Sequence, residues 1–128
     1  MFRTVLIAAT LAGGVGAPPA MAQGDAAAGE TLFNRSCRAC HQVGEGARNT
    51  AGPALTGVVD QEIASTEGFR YSPAFMEKKG EGFVWTHEAL SEYLADPRAY
   101  IPGNRMAFPG LRSDEDVANM VAYLETFE

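Results

Sequence analysis

The segment Cys37-Arg38-Ala39-Cys40-His41 decides how the sequence is interpreted, because it holds the only two cysteines among 128 residues. A Cys-x-x-Cys pair can be a disulfide or a thiol redox site in an exported protein, or half of a zinc site elsewhere. Zinc needs four ligands, and beyond these three the sequence offers only His87. A thioredoxin-like site requires a strand before the pair, and no convincing strand precedes Cys37. Both interpretations are therefore disfavoured.

The histidine directly after the second cysteine completes the pattern of c-type haem attachment. In this pattern two thioether bonds, here from Cys37 and Cys40, hold the porphyrin, and the adjacent imidazole of His41 reaches the iron from one face. The sequence therefore predicts one covalent haem c, with His41 as an iron ligand.

The second axial ligand is sought among five methionines and the remaining histidine. Met76 follows Ser72-Pro73, where serine can cap a short helix and proline can occupy its first turn, so we expect Met76 to be a packing residue. Met120 has helical spacing with the apolar residues around it, which predicts a core position. The other candidates outside the first 22 residues are Met106 and His87.

Met106 lies in an irregular loop, residues 101–110, that is rich in proline and glycine. A long thioether can be aimed from such a loop without helical constraint, so Met106 is the predicted iron ligand. His87 competes as a second imidazole, but directly after Thr86 it is expected to face solvent in a first helical turn. Methionine opposite histidine raises the reduction potential and closes the iron to other ligands, which suits electron transfer.

The first 22 residues have the pattern of a cleaved signal peptide. Arg3 is followed by an apolar stretch at 5–15 and by the small residues of Ala20-Met21-Ala22. Glycines and prolines interrupt this stretch, which falls short of the about 20 apolar residues that a membrane span needs. We expect export to the periplasm, cleavage after Ala22, a domain at 23–128 and no stable membrane insertion.

Composition narrows the class of protein further. The net charge of -6 opposes binding to nucleic acid. Hydrophobic residues at 46% and charged residues at 20% are typical of a globular protein, while 14 glycines and 7 prolines predict many turns. A small loop-rich domain of this kind often needs a staple. The protein is expected to be a monomer.

Helical signals dominate the sequence from residue 24 onward. Gly24 or Asp25 can open a first helix, Thr86 a middle helix that ends before Pro97, and Ser113 a last helix with acidic residues in its first turn. Strand signals are weak. The prediction is an all-α domain of four or five helices and long loops around one covalent haem.

The sequence from Gly29 to Leu124 resembles class I c-type cytochromes, and most closely bacterial cytochrome c2, which is similar to mitochondrial cytochrome c. The resemblance implies the cytochrome c fold, with Gly29 and Phe33 packed against Met120 and Tyr123. It also implies several haem contacts. Pro53 would lie in the loop that holds the axial imidazole, and Tyr71 and Trp85 match the positions that hydrogen-bond a propionate. Tyr93, Asn104 and Met106 match the segment leading to the methionine ligand, and Phe108 matches the aromatic residue at the haem edge. For Tyr71 and Trp85, ordinary core packing is the alternative.

One position departs from the family. Counting from Pro53, the arginine that the family usually has near the propionates is Gln61 here, between Asp60 and Glu62. A small shift of the loop would let Arg48 or Arg70 serve instead, and both alternatives stay open.

Three functional classes follow from these residues. The resemblance implies a non-enzymatic electron carrier between membrane redox complexes, such as a bc1-type complex and a terminal oxidase or photosynthetic reaction centre. A haem protein with an open iron, acting as a ligand binder or peroxidase, is the alternative, although no catalytic distal base is evident. A thiol oxidoreductase is the third class.

Overall fold

A computed structural model describes residues 13–14 and 24–128, and these residues contain five helices and no regular strand. The helices, in chain order, are α1 (Ala26–Ser36), α2 (Pro73–Gly80), α3 (His87–Ala95), α4 (Pro97–Tyr100) and α5 (Asp114–Glu125). Only Asp96 separates α3 from α4, and longer loops join the other helices. The nearest approach to a sheet among these residues is one antiparallel bridge between Glu62 and Val84. The all-α prediction is confirmed.

The predicted helix starts are confirmed by their capping hydrogen bonds. The side chain of Asp25 accepts from the backbone N–H groups of Ala27 and Ala28 at 2.9 and 3.3 Å. Thr86 and Ser113 cap α3 and α5 through single bonds of 3.1 Å to the third residue of each helix. Each bond satisfies a backbone donor that has no partner inside its helix.

Helices α1 and α5 pack against each other through a close backbone contact. A Cβ atom at Gly29 would overlap the carbonyl of Asn119 and lie 2.7 Å from the Cβ of Tyr123, so only glycine fits there. Next to it, the ring centroids of Phe33 and Tyr123 lie 5.5 Å apart. Met120 is buried in the same contact, as the sequence predicts. This pairing joins the two ends of the domain.

The prediction that Met76 is a packing residue is wrong, because 49% of its surface is exposed. Helix α2 lies on the surface and none of its residues is fully buried. Neighbouring residues of a helix point about 100° apart. Phe75, one position earlier, packs against the core instead of Met76.

Residues 1–22, predicted to be a signal peptide, lie outside the described residues apart from Gly13 and Gly14. Among the residues that the structure does describe, no helix combines the length and the apolar character needed to cross a membrane.

Candidate functional site

A cavity of about 710 Å³ lies between the loops and the inner faces of α1, α3 and α5. Its volume falls in the range of about 300–1,000 Å³ that is usual for small-molecule and cofactor sites. All ten residues predicted from the sequence to contact haem border it: Cys37, Cys40, His41, Pro53, Tyr71, Trp85, Tyr93, Asn104, Met106 and Phe108. Residues separated by as many as 71 positions therefore meet at one site.

The imidazole of His41 is fixed by the loop at Gly52 and Pro53. Its Nδ1 lies 2.8 Å from the carbonyl oxygen of Pro53, which can only accept a hydrogen bond, so Nδ1 carries the proton and Nε2 keeps its lone pair. Gly52 packs directly on the ring, and a Cβ there would overlap it. Burial lowers the pKa of His41, against an opposing effect of the Pro53 hydrogen bond. A neutral, oriented imidazole is the form that binds a metal.

The two cysteines lie at the end of α1, in a turn that continues into His41. The backbone N–H groups of Cys40 and His41 donate to the carbonyl of Cys37 at 3.1 and 2.9 Å. This turn brings both sulfur-bearing residues and the imidazole to the same wall of the cavity. Burial, with a smaller effect from Cys40, raises the pKa of the Cys37 thiol to about 11.

Met106 is held by its own loop and by α3. Its backbone N–H donates to Oδ1 of Asn104 at 3.0 Å. The amide of Asn104 donates in turn to the carbonyls of Pro97 and Ile101, both at 2.8 Å. The hydroxyl of Tyr93 donates to the sulfur of Met106 at 3.8 Å. Burial strongly raises the pKa of Tyr93, so the hydroxyl keeps its proton.

An aromatic cluster forms one side of the cavity. The ring centroids of Trp85 and Tyr93 lie 4.9 Å apart, and Phe75 lies 6.0 Å from each of Tyr71, Trp85 and Tyr93. Phe75 was not predicted from the sequence, because α2 is too short for a periodic apolar pattern. The Tyr71 hydroxyl accepts a hydrogen bond of 3.1 Å from the backbone N–H of Thr66. The hydroxyl hydrogen of Tyr71 remains available for a further bond.

Polar residues gather at the end of the cavity near residues 61–72. Gln61 and Arg70 both border it, whereas Arg48 does not. His87 is also away from the cavity, and its Nδ1 lies 2.7 Å from a carboxylate oxygen of Glu125 on the surface. Sequence reasoning missed Ser65, which borders the cavity and whose buried hydroxyl oxygen has no hydrogen-bond partner.

These residues fit a covalently held haem. The cavity is large and mostly apolar, one wall carries two thiols and an oriented imidazole, and a thioether is fixed in a loop elsewhere on its border. Imidazole and thioether are the axial donors of haem in electron carriers. The unpartnered hydroxyl at the polar end is a further sign that a polar group is accommodated there.

Comparisons with known proteins agree with this geometry. The sequence model of the Cytochrome c family matches residues 26–128. The chain is 46% identical over 121 residues to cytochrome c-554 of Methylosinus trichosporium, covering 94% of this chain and 89% of that protein. It is 40% identical over 127 residues to cytochrome c2 of Blastochloris viridis, covering 99% and 91%.

Solved structures give the same result for the fold. The structure of cytochrome c2 from Rhodospirillum centenum superposes with a TM-score of 0.77 at 36% identity, covering 81% of this chain and 98% of that one. The chain therefore belongs to the cytochrome c family, in its all-α class I form. The family consists of electron carriers that hold haem c covalently.

Proposed function

We propose that this protein is a periplasmic one-electron carrier that holds a single haem c through Cys37 and Cys40, with His41 and Met106 as the iron ligands. The observation that carries the proposal is that an imidazole with a free Nε2 and an independently fixed thioether border the same cavity. When bound, haem c supplies a one-electron iron couple, so the chain needs no substrate pocket or catalytic base.

The side chains of this cavity would then have separate roles. Pro53 keeps the imidazole in one tautomer, and Tyr93 supports the sulfur of Met106 with a hydrogen bond. Tyr71 and Trp85 border the cavity near its polar end and would bind a haem propionate. Phe108, half-buried on the border, would lie at the exposed haem edge through which electrons leave.

Two further parts of the proposal concern location and partners. Residues 1–22 would be removed as a signal peptide, which leaves residues 23–128 as the periplasmic domain. The partners would be membrane redox complexes, such as a bc1-type complex and a terminal oxidase or photosynthetic reaction centre. Membership of the cytochrome c family and the cytochrome c2 relatives support this class of partner.

Two properties of the cavity disfavour the competing functions. A thiol oxidoreductase depends on a thiolate, and the raised pKa of Cys37 disfavours that form. A peroxidase or ligand binder needs an accessible iron face. Here, beside the thioether of Met106, the side-chain amide of Asn104 is engaged in hydrogen bonds and the hydroxyl of Tyr93 keeps its proton.

The absorption spectrum of the purified protein tests the proposal. Haem staining on a reducing denaturing gel should show covalent haem, which a thiol oxidoreductase would lack. The ferric protein should show the weak band at ~695 nm expected of methionine-ligated haem. Haem staining without this band would favour the open-iron alternative.

A further inference from the structure

The loop 63–66 presents a buried hydroxyl to the cavity and gives it no partner. The oxygen of Ser65 is sealed from solvent and makes no hydrogen bond, and it is the one such side-chain polar atom among the residues that the structure describes. A buried hydroxyl without a partner is costly, so native proteins normally pair such a group or use it to bind something. Ser65 borders the cavity described above.

The backbone on both sides of Ser65 is fixed. The N–H of Ile63 donates to the carbonyl of Phe83 at 3.0 Å, and the N–H of Thr66 donates to the Tyr71 hydroxyl at 3.1 Å. The ammonium of Lys79 donates to the carbonyl of Ala64 at 3.0 Å. The backbone that carries Ser65 is therefore held in place at the border of the cavity.

The conformation at Ala64 supports a functional reason for this arrangement. Its φ of 56° is in the left-handed region, which is unfavourable for a residue other than glycine. Such strain persists only where surrounding contacts enforce it, and it is found most often at binding sites. The bond from Lys79 to the Ala64 carbonyl is one of those contacts.

We propose that Ser65 donates a hydrogen bond to a carboxylate of the bound haem, and that Lys79 positions Ser65 by holding the strained turn at Ala64. This inference rests on the proposed function, because it assumes that haem is in the cavity. A carboxylate only accepts hydrogen bonds, so the hydroxyl must be the donor. The neighbouring hydroxyl of Tyr71 also has its hydrogen available, so two donors serve the same polar end.

The test measures a carboxylate signature and the midpoint potential in the haem-loaded protein. The Ser65→Ala substitution should shift a carboxylate band in the redox-induced infrared difference spectrum. It should also lower the midpoint potential, because the carboxylate loses a donor that offsets its negative charge near the iron. Ser65→Thr, which keeps a hydroxyl, should behave like the natural protein in both measurements.

Ser91→Ala is the matched control, because the Ser91 hydroxyl donates to the carbonyl of His87 on α3 and does not border the cavity. It should move neither the band nor the potential. A Ser65→Ala protein that retains haem and matches Ser91→Ala in both measurements would overturn the role of Ser65. Absence of haem from the natural protein would instead overturn the proposed function.

The positioning role of Lys79 has its own matched pair. Lys79→Met and Lys78→Met remove the same charge from neighbouring positions, but Lys78 only pairs with Glu81 on the surface. We expect Lys79→Met to shift the same carboxylate band in the same direction as Ser65→Ala, but by less, and Lys78→Met to leave it in place. Equal spectra for the two lysine variants would overturn the positioning role.

Discussion

The side chain of Asn104 accepts a hydrogen bond from the backbone N–H of Met106 at 3.0 Å while its amide donates to the carbonyls of Pro97, the first residue of α4, and Ile101, the residue that follows this helix. One side chain thus ties the methionine to the loop that carries it and to the helix before it. The resemblance indicated Asn104 as part of the segment leading to the methionine but did not reveal its three hydrogen bonds.

Asn104→Ala should loosen the Met106 loop. Removing three hydrogen bonds, each worth about 0.5–1.5 kcal/mol, should lower the free energy of unfolding by about 1–3 kcal/mol, because such contributions are not fully additive. External imidazole should also bind the ferric protein more readily. Asn104→Asp keeps the acceptor for the Met106 N–H and loses both donors, so it separates the two functions. Unchanged stability and imidazole affinity in Asn104→Ala would contradict this role.

Met106→Ala should leave the haem attached but expose its second axial position. In the proposed site the thioether bonds would involve Cys37 and Cys40, whereas Met106 belongs to a separate loop. We therefore expect a normal haem stain, loss of the ~695 nm band and a lower reduction potential. Met76→Ala is the control, because Met76 is half-exposed and does not border the cavity. If Met106→Ala retained the band, another residue would be the ligand.

Two helical glycines should respond in opposite directions to the same substitution. At Gly29 a new Cβ would overlap the backbone of α5, so Gly29→Ala should lower the free energy of unfolding by about 1–3 kcal/mol. At Gly80, in the last turn of α2, a new Cβ meets no atom within 4 Å, so Gly80→Ala should raise it by about 0.4–1 kcal/mol. Denaturant titration of the haem-loaded protein measures both. Equal effects would contradict the close contact between α1 and α5.

Local rules predicted the helices well because their signals lie in a few adjacent residues. The caps at Asp25, Thr86 and Ser113 form as expected, since each depends only on the backbone N–H groups that follow it. The inward direction of Phe75 instead of Met76 could not be predicted in this way. It depends on how the short α2 lies against the core, which no local pattern specifies.

The ten site residues could be predicted because the haem motif and the family resemblance together indicated them, and all ten border one cavity. Ser65 was missed because serine in a loop has no periodicity and no charge, and its significance comes from burial without a partner. The position of Arg70 at the cavity, and of Arg48 away from it, depends on the loop path between distant segments. Sequence spacing alone does not give that path.

Electron transfer with an acidic partner should slow as salt is added. Residues 97–112 contain three arginines, Arg98, Arg105 and Arg112, and no acid, although the chain as a whole is acidic. All three are exposed, and Arg105 borders the cavity beside Met106. A local positive patch should steer an acidic docking surface, and salt weakens such steering.

Stopped-flow measurements at several ionic strengths check this expectation. Arg105→Gln should lower the rate at low salt and flatten its salt dependence, whereas Arg35→Gln, in the last turn of α1, should have a smaller effect. A rate that rises with salt would mean that repulsion by the whole acidic molecule governs the encounter.

Gln61→Arg should raise the midpoint potential. Gln61 borders the cavity at its polar end, and a cation there destabilises the ferric haem, which carries one more positive charge than the ferrous form. For one charge at ~10 Å and an effective dielectric constant of ~20, Coulomb's law gives about 1.7 kcal/mol, or ~70 mV for one electron. Solvent screening, together with pairing to Asp60 or Glu62, should reduce the gain to ~30 mV.

Protein-film voltammetry measures this shift directly, and Asn34→Arg provides the control. Asn34 is exposed on α1 and does not border the cavity, so the same added charge there should move the potential much less. An unchanged potential in Gln61→Arg would mean that Arg70, which borders the same cavity, already compensates the propionates. In that case Arg70→Gln should lower the midpoint potential by a similar ~30 mV, because it removes the compensating cation.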